Sequence, residues 1–249
     1  MSRGLIRSLE REGRRRVRRL RHAHRLRRDD ACTVLGIDLV VPRGVPHPLA
    51  EGDARFFVRT VGPMVAPGQR VLVLDCGAGL DAVAAGLRGA DVTARSEDPR
   101  AVVAAAANLA RAEVSGVSEP GAGVAGGPWD LVLWRVRDPD RLPTVLDALP
   151  TALGDRGRLV LGIDVQGPAE ARMHAALPDG FRAVELARNL GLSLRYRAWS
   201  LGVDLEARRR ARHAARDARD KAAVSRRRWE RGETDASQEE IARVMEHGS

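Results

Sequence analysis

Arg70-Val-Leu-Val-Leu-Asp-Cys-Gly-Ala-Gly-Leu-Asp-Ala82 is the stretch on which the reading of this chain turns. Val71 to Leu74 is a short continuous apolar run, the pattern of a strand buried on both faces. Two glycines one residue apart follow, Gly77 and Gly79, and then the Ala/Leu-rich run Ala82 to Leu87 reads as a helix. A strand that turns through glycines into a helix brings main-chain N–H groups to the carboxyl end of the strand, which is where open α/β sheets bind ligands. Two ligand classes use that geometry. Read as Gly77-x-Gly79-x-x-Ala82, with Glu97 placed about twenty residues downstream to hold ribose hydroxyls, the stretch fits a dinucleotide fingerprint. The flanking sequence favours the other.

Outward from the turn, short β-branched runs alternate with longer Ala/Leu-rich ones, which predicts a mostly parallel sheet wrapped by helices. The predicted strands are Val71 to Leu74, Asp91 to Ala94, Leu131 to Trp134, Leu159 to Ile163, Ala183 to Leu186 and Leu192 to Trp199. The predicted helices between them are Ala82 to Leu87, Asp98 to Ala112, Arg141 to Leu153 and Pro168 to Ala176. Gly, Ser and Pro crowd Glu113 to Gly127, which predicts a shortened or disordered connection. Upstream, Thr33 to Val41 reads as extended, Pro42, Pro46 and Pro48 break any helix, and Ala50 to Val61 resumes one.

The 249 residues suffice for one full α/β domain with extensions, and the balance of 44% hydrophobic to 30% charged residues excludes wholesale disorder. The longest apolar stretches, such as Ala101 to Ala107, are far too short for a bilayer crossing, and no apolar signal core follows the Arg-rich start. The expectation is a soluble, cytoplasmic protein with no membrane partner. Cys32 and Cys76 share no metal-ligand spacing with each other or with the six histidines, so no metal site is expected.

The net charge of +9 is unevenly spread. Residues 1–28 carry +10 and residues 205–232 carry +7, while 29–204 and 233–249 carry −4 each. Basic arms flanking a mildly acidic centre point to a polyanionic partner, with a solvated helix packed on the body as the bland alternative. In the first arm Leu5, Leu9, Val17 and Leu20 form a thin apolar stripe on a predicted helix. In the second, Asp204 is a candidate N-cap, and Arg226, Arg227 and Arg228 stand beside Trp229. Ser237 with Glu240 reads as a capping box before Ile241, Val244 and Met245, an apolar face that calls for a protein partner. The expected divisions are a basic helix over 1–28, a core domain over 29–203, a basic helix over 204–232 and an acidic tail with a short amphipathic helix over 233–249.

The order of motifs is more specific than the glycine turn. After Arg70 to Ala82 come Ala90-Asp-Val-Thr-Ala94, Asp98-Pro-Arg-Ala-Val102 with Asn108 ending the helix, Trp129-Asp-Leu-Val-Leu133 and Gly157-Arg-Leu-Val-Leu161. Across about residues 36 to 199 this series resembles the class I S-adenosylmethionine-dependent methyltransferases. The lead-in Gly36-Ile-Asp-Leu-Val-Val-Pro-Arg-Gly-Val-Pro-His-Pro48 looks like the branch of N5-glutamine and small-domain ribosomal RNA guanine-N2 methyltransferases. The resemblance implies an α/β, Rossmann-like sheet of the seven-stranded type with its last strand antiparallel, here with basic helical extensions at both ends. It implies S-adenosylmethionine as cofactor at Asp75, Cys76, Gly77, Ala78 and Gly79, with Ser96 or Glu97 facing the ribose. RNA or a translation-associated protein is the implied substrate, with RNA or the ribosome met through the Arg-rich segments.

Several chemical positions depart from the family's pattern. Val73 stands where an acid usually precedes the loop, and Asp75 replaces the loop's first glycine. Ser96 aligns with the ribose-binding acid, and Glu119 alone remains where an acid addresses the adenine. The branch's Asn-Pro-Pro-Tyr is here Arg135-Val-Arg-Asp138, so Trp134, Arg135 and Asp138 are the candidates on the acceptor side. Two expectations stand together: a methyltransferase, or a catalytically degenerate relative, a pseudoenzyme, that binds RNA, the ribosome or a protein through its arms. Cys76 is either a reactive thiol or a small residue packed under the loop, and His47, near the expected pocket mouth, either punctuates its loop or takes part in catalysis.

Overall fold

The computed structural model describes residues 29–49, 52–165, 168–190 and 195–203, together with Lys221. The chain divides into two compact units, 1–203 and 204–249. The helices expected in the basic arms and the tail lie outside the described residues, except at Lys221, which is helical and exposed.

A hairpin of β1 (Asp30–Val34) and β2 (Ile37–Val41) leads into α1 (Gly52–Val61) and a 3-10 turn. Then come β3 (Arg70–Leu74), α2 (Leu80–Gly86), β4 (Asp91–Ser96), α3 (Pro99–Arg111) and β5 (Gly116–Pro120). β6 (Trp129–Arg135) is followed by a 3-10 turn over Pro139–Arg141 and by α4 (Leu142–Asp147) and α5 (Leu149–Ala152). β7 (Leu153–Asp164), α6 (Ala169–Ala175), β8 (Phe181–Leu190) and β9 (Arg195–Val203) complete the unit. The main sheet has seven strands in the order β5-β4-β3-β6-β7-β9-β8. β3 to β7 pair in parallel, and β9 runs antiparallel between β7 and β8.

Successive strand residues point to opposite faces, so an unbroken apolar run belongs to a strand covered on both sides. Val71, Val73, Leu131 and Leu133 join the core shared with the hairpin, α1, α2 and α3. Leu72, Leu74, Val132 and Trp134 join the core shared with α4, α5 and α6. The strand order reverses direction beside β3, and there the polar loops collect.

α3 positions the turn after β3. Asp98 caps it by accepting from the Arg100 amide at 3.0 Å, and Pro99 begins it at a position that needs no donor. Its buried Asn108 is the clamp of this region. Asn108 Nδ2 donates to Ala78 O in the turn and to Val40 O in β2, both at 2.8 Å, and its Oδ1 accepts from Val40 N at 2.9 Å.

Four expectations need correction. Thr33 to Val41 is not one extended segment, because Leu35 and Gly36 both take positive φ (55° and 80°) and reverse the chain into a hairpin. Glu113 to Gly127 is not merely a shortened connection: Gly116–Pro120 pairs along β4 as an edge strand, which needs only one apolar neighbour and so shows little hydrophobic pattern. The helix expected over Arg141 to Leu153 is broken into a 3-10 turn and two short helices, since Pro143 and Pro150 each sit in a first turn. β7 begins six residues earlier than Leu159, because Leu153 already pairs with Trp129.

No helix among the described residues is long and apolar enough to cross a membrane. Replacement of Asn108 by Ala removes three hydrogen bonds, the one to Ala78 O buried and the two to Val40 part-buried. With a stranded buried group costing about 1 to 3 kcal/mol, the variant is expected to lose about 3 kcal/mol in urea unfolding. A loss below about 0.5 kcal/mol, the range of ordinary surface changes, would show that the clamp does not hold the hairpin to the turn.

Candidate ligand crevice

Three of the five residues from Asp75 to Gly79 take left-handed backbone conformations, with φ of 51° at Asp75, 54° at Gly77 and 83° at Gly79. The glycines adopt this without a Cβ clash, whereas Asp75 is a non-glycine residue held there by its contacts. Gly79 is also required sterically, since a Cβ there would lie 2.9 Å from Ala105 Cα in α3. The Cys76 amide donates to Arg95 O at 3.0 Å and the Gly79 amide to Cys76 O at 2.8 Å, which fold the turn over the end of β4. Cys76 is buried, and burial, with the Asp75 and Asp81 charges adding, pushes its thiol from 9.0 up to about 12. Of the two roles open to Cys76, the packed one is observed.

The Asp75 carboxylate does not stand open in the crevice. Its Oδ2 accepts from Trp134 Nε1 and its Oδ1 from Arg141 Nη1, both at 2.7 Å. The Arg141 guanidinium lies 5.5 Å from the Trp134 ring centre, its Nη2 donates to Ala122 O, and its Nη1 is 4.0 Å from Glu97. One side chain thus touches the carboxyl ends of β3 and β6 and the loops that follow β4 and β5. The 3-10 turn that delivers it is capped by Asp138, which accepts from the Asp140 amide at 3.0 Å.

The other positions singled out by the resemblance are likewise engaged within the chain. Ser96 is buried and its Oγ accepts from the Asp98 amide at 3.1 Å. Glu119 Oε1 accepts from Arg95 Nε at 2.8 Å, while Arg95 Nη1 binds Gly123 O and Ala125 O, so one guanidinium organises the loop after β5. Arg135 is buried and turns away from the crevice mouth, its Nε donating to Asp81 Oδ2 at 2.8 Å, with Asp53 Oδ2 3.8 Å from its Nη1. Trp134 is fully buried. Glu97 is the exposed acid of the set, with 67% of its side chain accessible.

The sequence thus brings Asp75, Trp134 and Glu97 to one crevice and places Ser96, Arg135 and Asp138 at its supports. Arg141 was missed because it read as the first residue of a helix, while Asn108 stood among the motif residues as a helix end with no role given to it. His47 is buried, accepts from the Leu49 amide through Nδ1 at 3.2 Å and faces Asp30 through Nε2 at 3.2 Å, a loop-fixing arrangement. A separate cavity of about 380 Å³ lies between the hairpin, α1 and α2, and of these residues only Asp81 lines it. Among the described residues no group of three His, Cys, Asp or Glu side chains is placed to hold a metal ion.

Beyond the turn itself, little backbone crowds its outer side. A Cβ built on Gly77 would meet only the Arg137 guanidinium, at 3.6 Å, so a movable side chain rather than backbone borders the turn. The Asp75 charge is already compensated by Arg141 and Trp134. Arg141 itself lies across the space.

The seven-stranded sheet, with one antiparallel strand inserted beside the last of a parallel set, is a Rossmann-like methyltransferase fold. No family model and no curated protein matches the sequence. Among solved structures, Trm5b from Pyrococcus abyssi superposes with a TM-score of 0.53 at 18% identity over 70% of this chain and 56% of its own. The tRNA (uracil-54, C5)-methyltransferase of Pyrococcus abyssi, solved with S-adenosyl-L-homocysteine, gives 0.52 at 16% identity over 70% of this chain and 44% of its own. Cofactor-bound Rv0187 from MTB gives 0.51 at 17% identity over 66% and 84%. The chain therefore spans about half the length of the first two.

The raised Cys76 thiol gives a direct expectation. The unfolded thiol loses its proton near 9.0 while the folded one keeps it to about 12, so stability is full below pH 9 and falls between 9 and 12. Cys76→Ala should flatten that fall in pH-dependent unfolding, and native protein at pH 8 should resist thiol reagents at Cys76. Rapid labelling of Cys76 in folded protein would contradict the placement.

Proposed function

We propose that this chain is an S-adenosylmethionine-dependent methyltransferase acting on RNA. The observation that carries the reading is the Gly77-Ala78-Gly79 turn at the carboxyl end of β3, at the switch point of a seven-stranded sheet. In this reading the main chain of residues 75–79 receives the cofactor's amino-acid end, and Glu97, next to Ser96, faces the ribose. Trp134, Arg135 and Asp138 shape the acceptor side, Arg135 and Asp138 by supporting the loop after β6 rather than by reaching the acceptor. When bound, the cofactor supplies an electrophilic methyl group. The chain's own part is then to exclude water and align a nucleophile. RNA is favoured over a protein acceptor by the +10 on residues 1–28 and the +7 on residues 205–232. One of the structural neighbours, a tRNA (uracil-54, C5)-methyltransferase, supports it.

A second reading, a catalytically silent relative that uses the arms alone, is favoured by a specific observation. Asp75, Ser96 and Glu119, which would otherwise meet the cofactor, are each satisfied by another part of the chain.

Calorimetric titration with S-adenosylmethionine separates the two. Micromolar binding together with methyl incorporation into RNA upholds the enzyme, and no heat at millimolar cofactor in wild type and in Arg141→Ala leaves the silent relative. Independently, full-length protein is expected to bind RNA with a steep salt dependence. Deletion of residues 1–28 is expected to weaken binding and to flatten that slope by about 0.7 for each single-strand phosphate that the arm neutralises. An unchanged slope would assign the arm another role.

A further inference from the structure

We infer that Arg141 is a built-in occupant of the crevice, and that Asp75 makes admission conditional on the incoming ligand bringing a positive charge of its own. The inference rests on the reading that the crevice takes a sulfonium nucleoside, and it says what controls entry.

Arg141 bonds to Asp75 at 2.7 Å, lies over Trp134 at 5.5 Å and reaches Ala122 O. These groups belong to three separate segments at the carboxyl ends of the central strands. A side chain whose only task was to anchor its own turn would not need partners on three segments. It is also removable: Arg141 remains 21% accessible, Glu97 beside it is largely exposed, and its backbone belongs to a 3-10 turn of three residues rather than to a long helix.

Asp75 explains the condition. Were Arg141 to leave with nothing replacing it, a carboxylate held at φ 51° would remain partly buried opposite an indole, an arrangement that disfavours the open state. S-Adenosylmethionine carries an ammonium and a sulfonium against a single carboxylate, so it is net positive and one of its cationic groups can take the place of the guanidinium beside Asp75. A neutral nucleoside cannot. The departure at the first glycine of the loop and the arginine six residues beyond β6 are therefore two halves of one device.

The occupant lowers apparent affinity by the fraction of molecules that stand closed, so a crevice closed in nine molecules of ten binds about tenfold more weakly than an open one. The test compares wild type, Arg141→Ala and Asp75→Asn as full-length proteins. Titration with S-adenosyl-L-homocysteine, which keeps the ammonium, and with neutral methylthioadenosine reads entry. Acrylamide quenching of Trp134, assigned by its loss in Trp134→Phe, reads closure without any ligand. Arg141→Ala is expected to expose Trp134 to quencher and to tighten both ligands about tenfold or more. Asp75→Asn is expected to weaken S-adenosyl-L-homocysteine relative to methylthioadenosine. Equal affinities in wild type and Arg141→Ala, or unchanged quenching, would overturn the inference while leaving the cofactor reading intact. Raised quenching with neither ligand bound by any form would instead sink the cofactor reading, and the entry condition with it.

Discussion

The crevice depends on Asn108. The turn after β3 and the hairpin of β1 and β2 come from distant parts of the chain, and neither is bound to the other by a strand ladder. A single buried amide joins them, using both of its donors and its acceptor on Val40 and Ala78. A main-chain carbonyl in a buried turn must have a partner, and Asn108 supplies one while holding α3 against Gly79.

Around this clamp the chain handles its charges by internal pairing. Arg135 is set between Asp81 and Asp53, Asp75 between Trp134 and Arg141, and Arg95 between Glu119 and the carbonyls of its loop. Arg135 and Asp81 are both buried, and breaking such a pair by removing one partner costs about 3 to 5 kcal/mol. The acid at position 75 is met by an arginine and an indole, and the Ser96 hydroxyl meets the Asp98 amide.

The sheet was legible because buried parallel strands leave unmistakable apolar runs: Val71 to Leu74 and Leu131 to Trp134 were placed to within two residues at each end. The motif order pointed to the right strand sequence, including the antiparallel β9. What escaped notice had no local signature. β5 is an edge strand with a single neighbour, and the hairpin turn uses Leu35 at a position where asparagine or glycine is the usual signal. The crevice was located from Gly77 and Gly79, but its occupant was not, because the partners of Arg141 lie 19 and 66 residues away in sequence. Spacing rules see neighbours one turn apart and are blind to such pairs.

The contact between Gly79 and Ala105 has an evolutionary consequence. Two positions 26 apart, one in a loop and one in a helix, share a single small volume, and the helix can approach only while both remain tiny. Homologous chains should therefore vary at these sites as a coupled pair. A bulkier residue at either one would be expected together with a tilted α3, and such a tilt would carry Asn108 out of reach of Ala78.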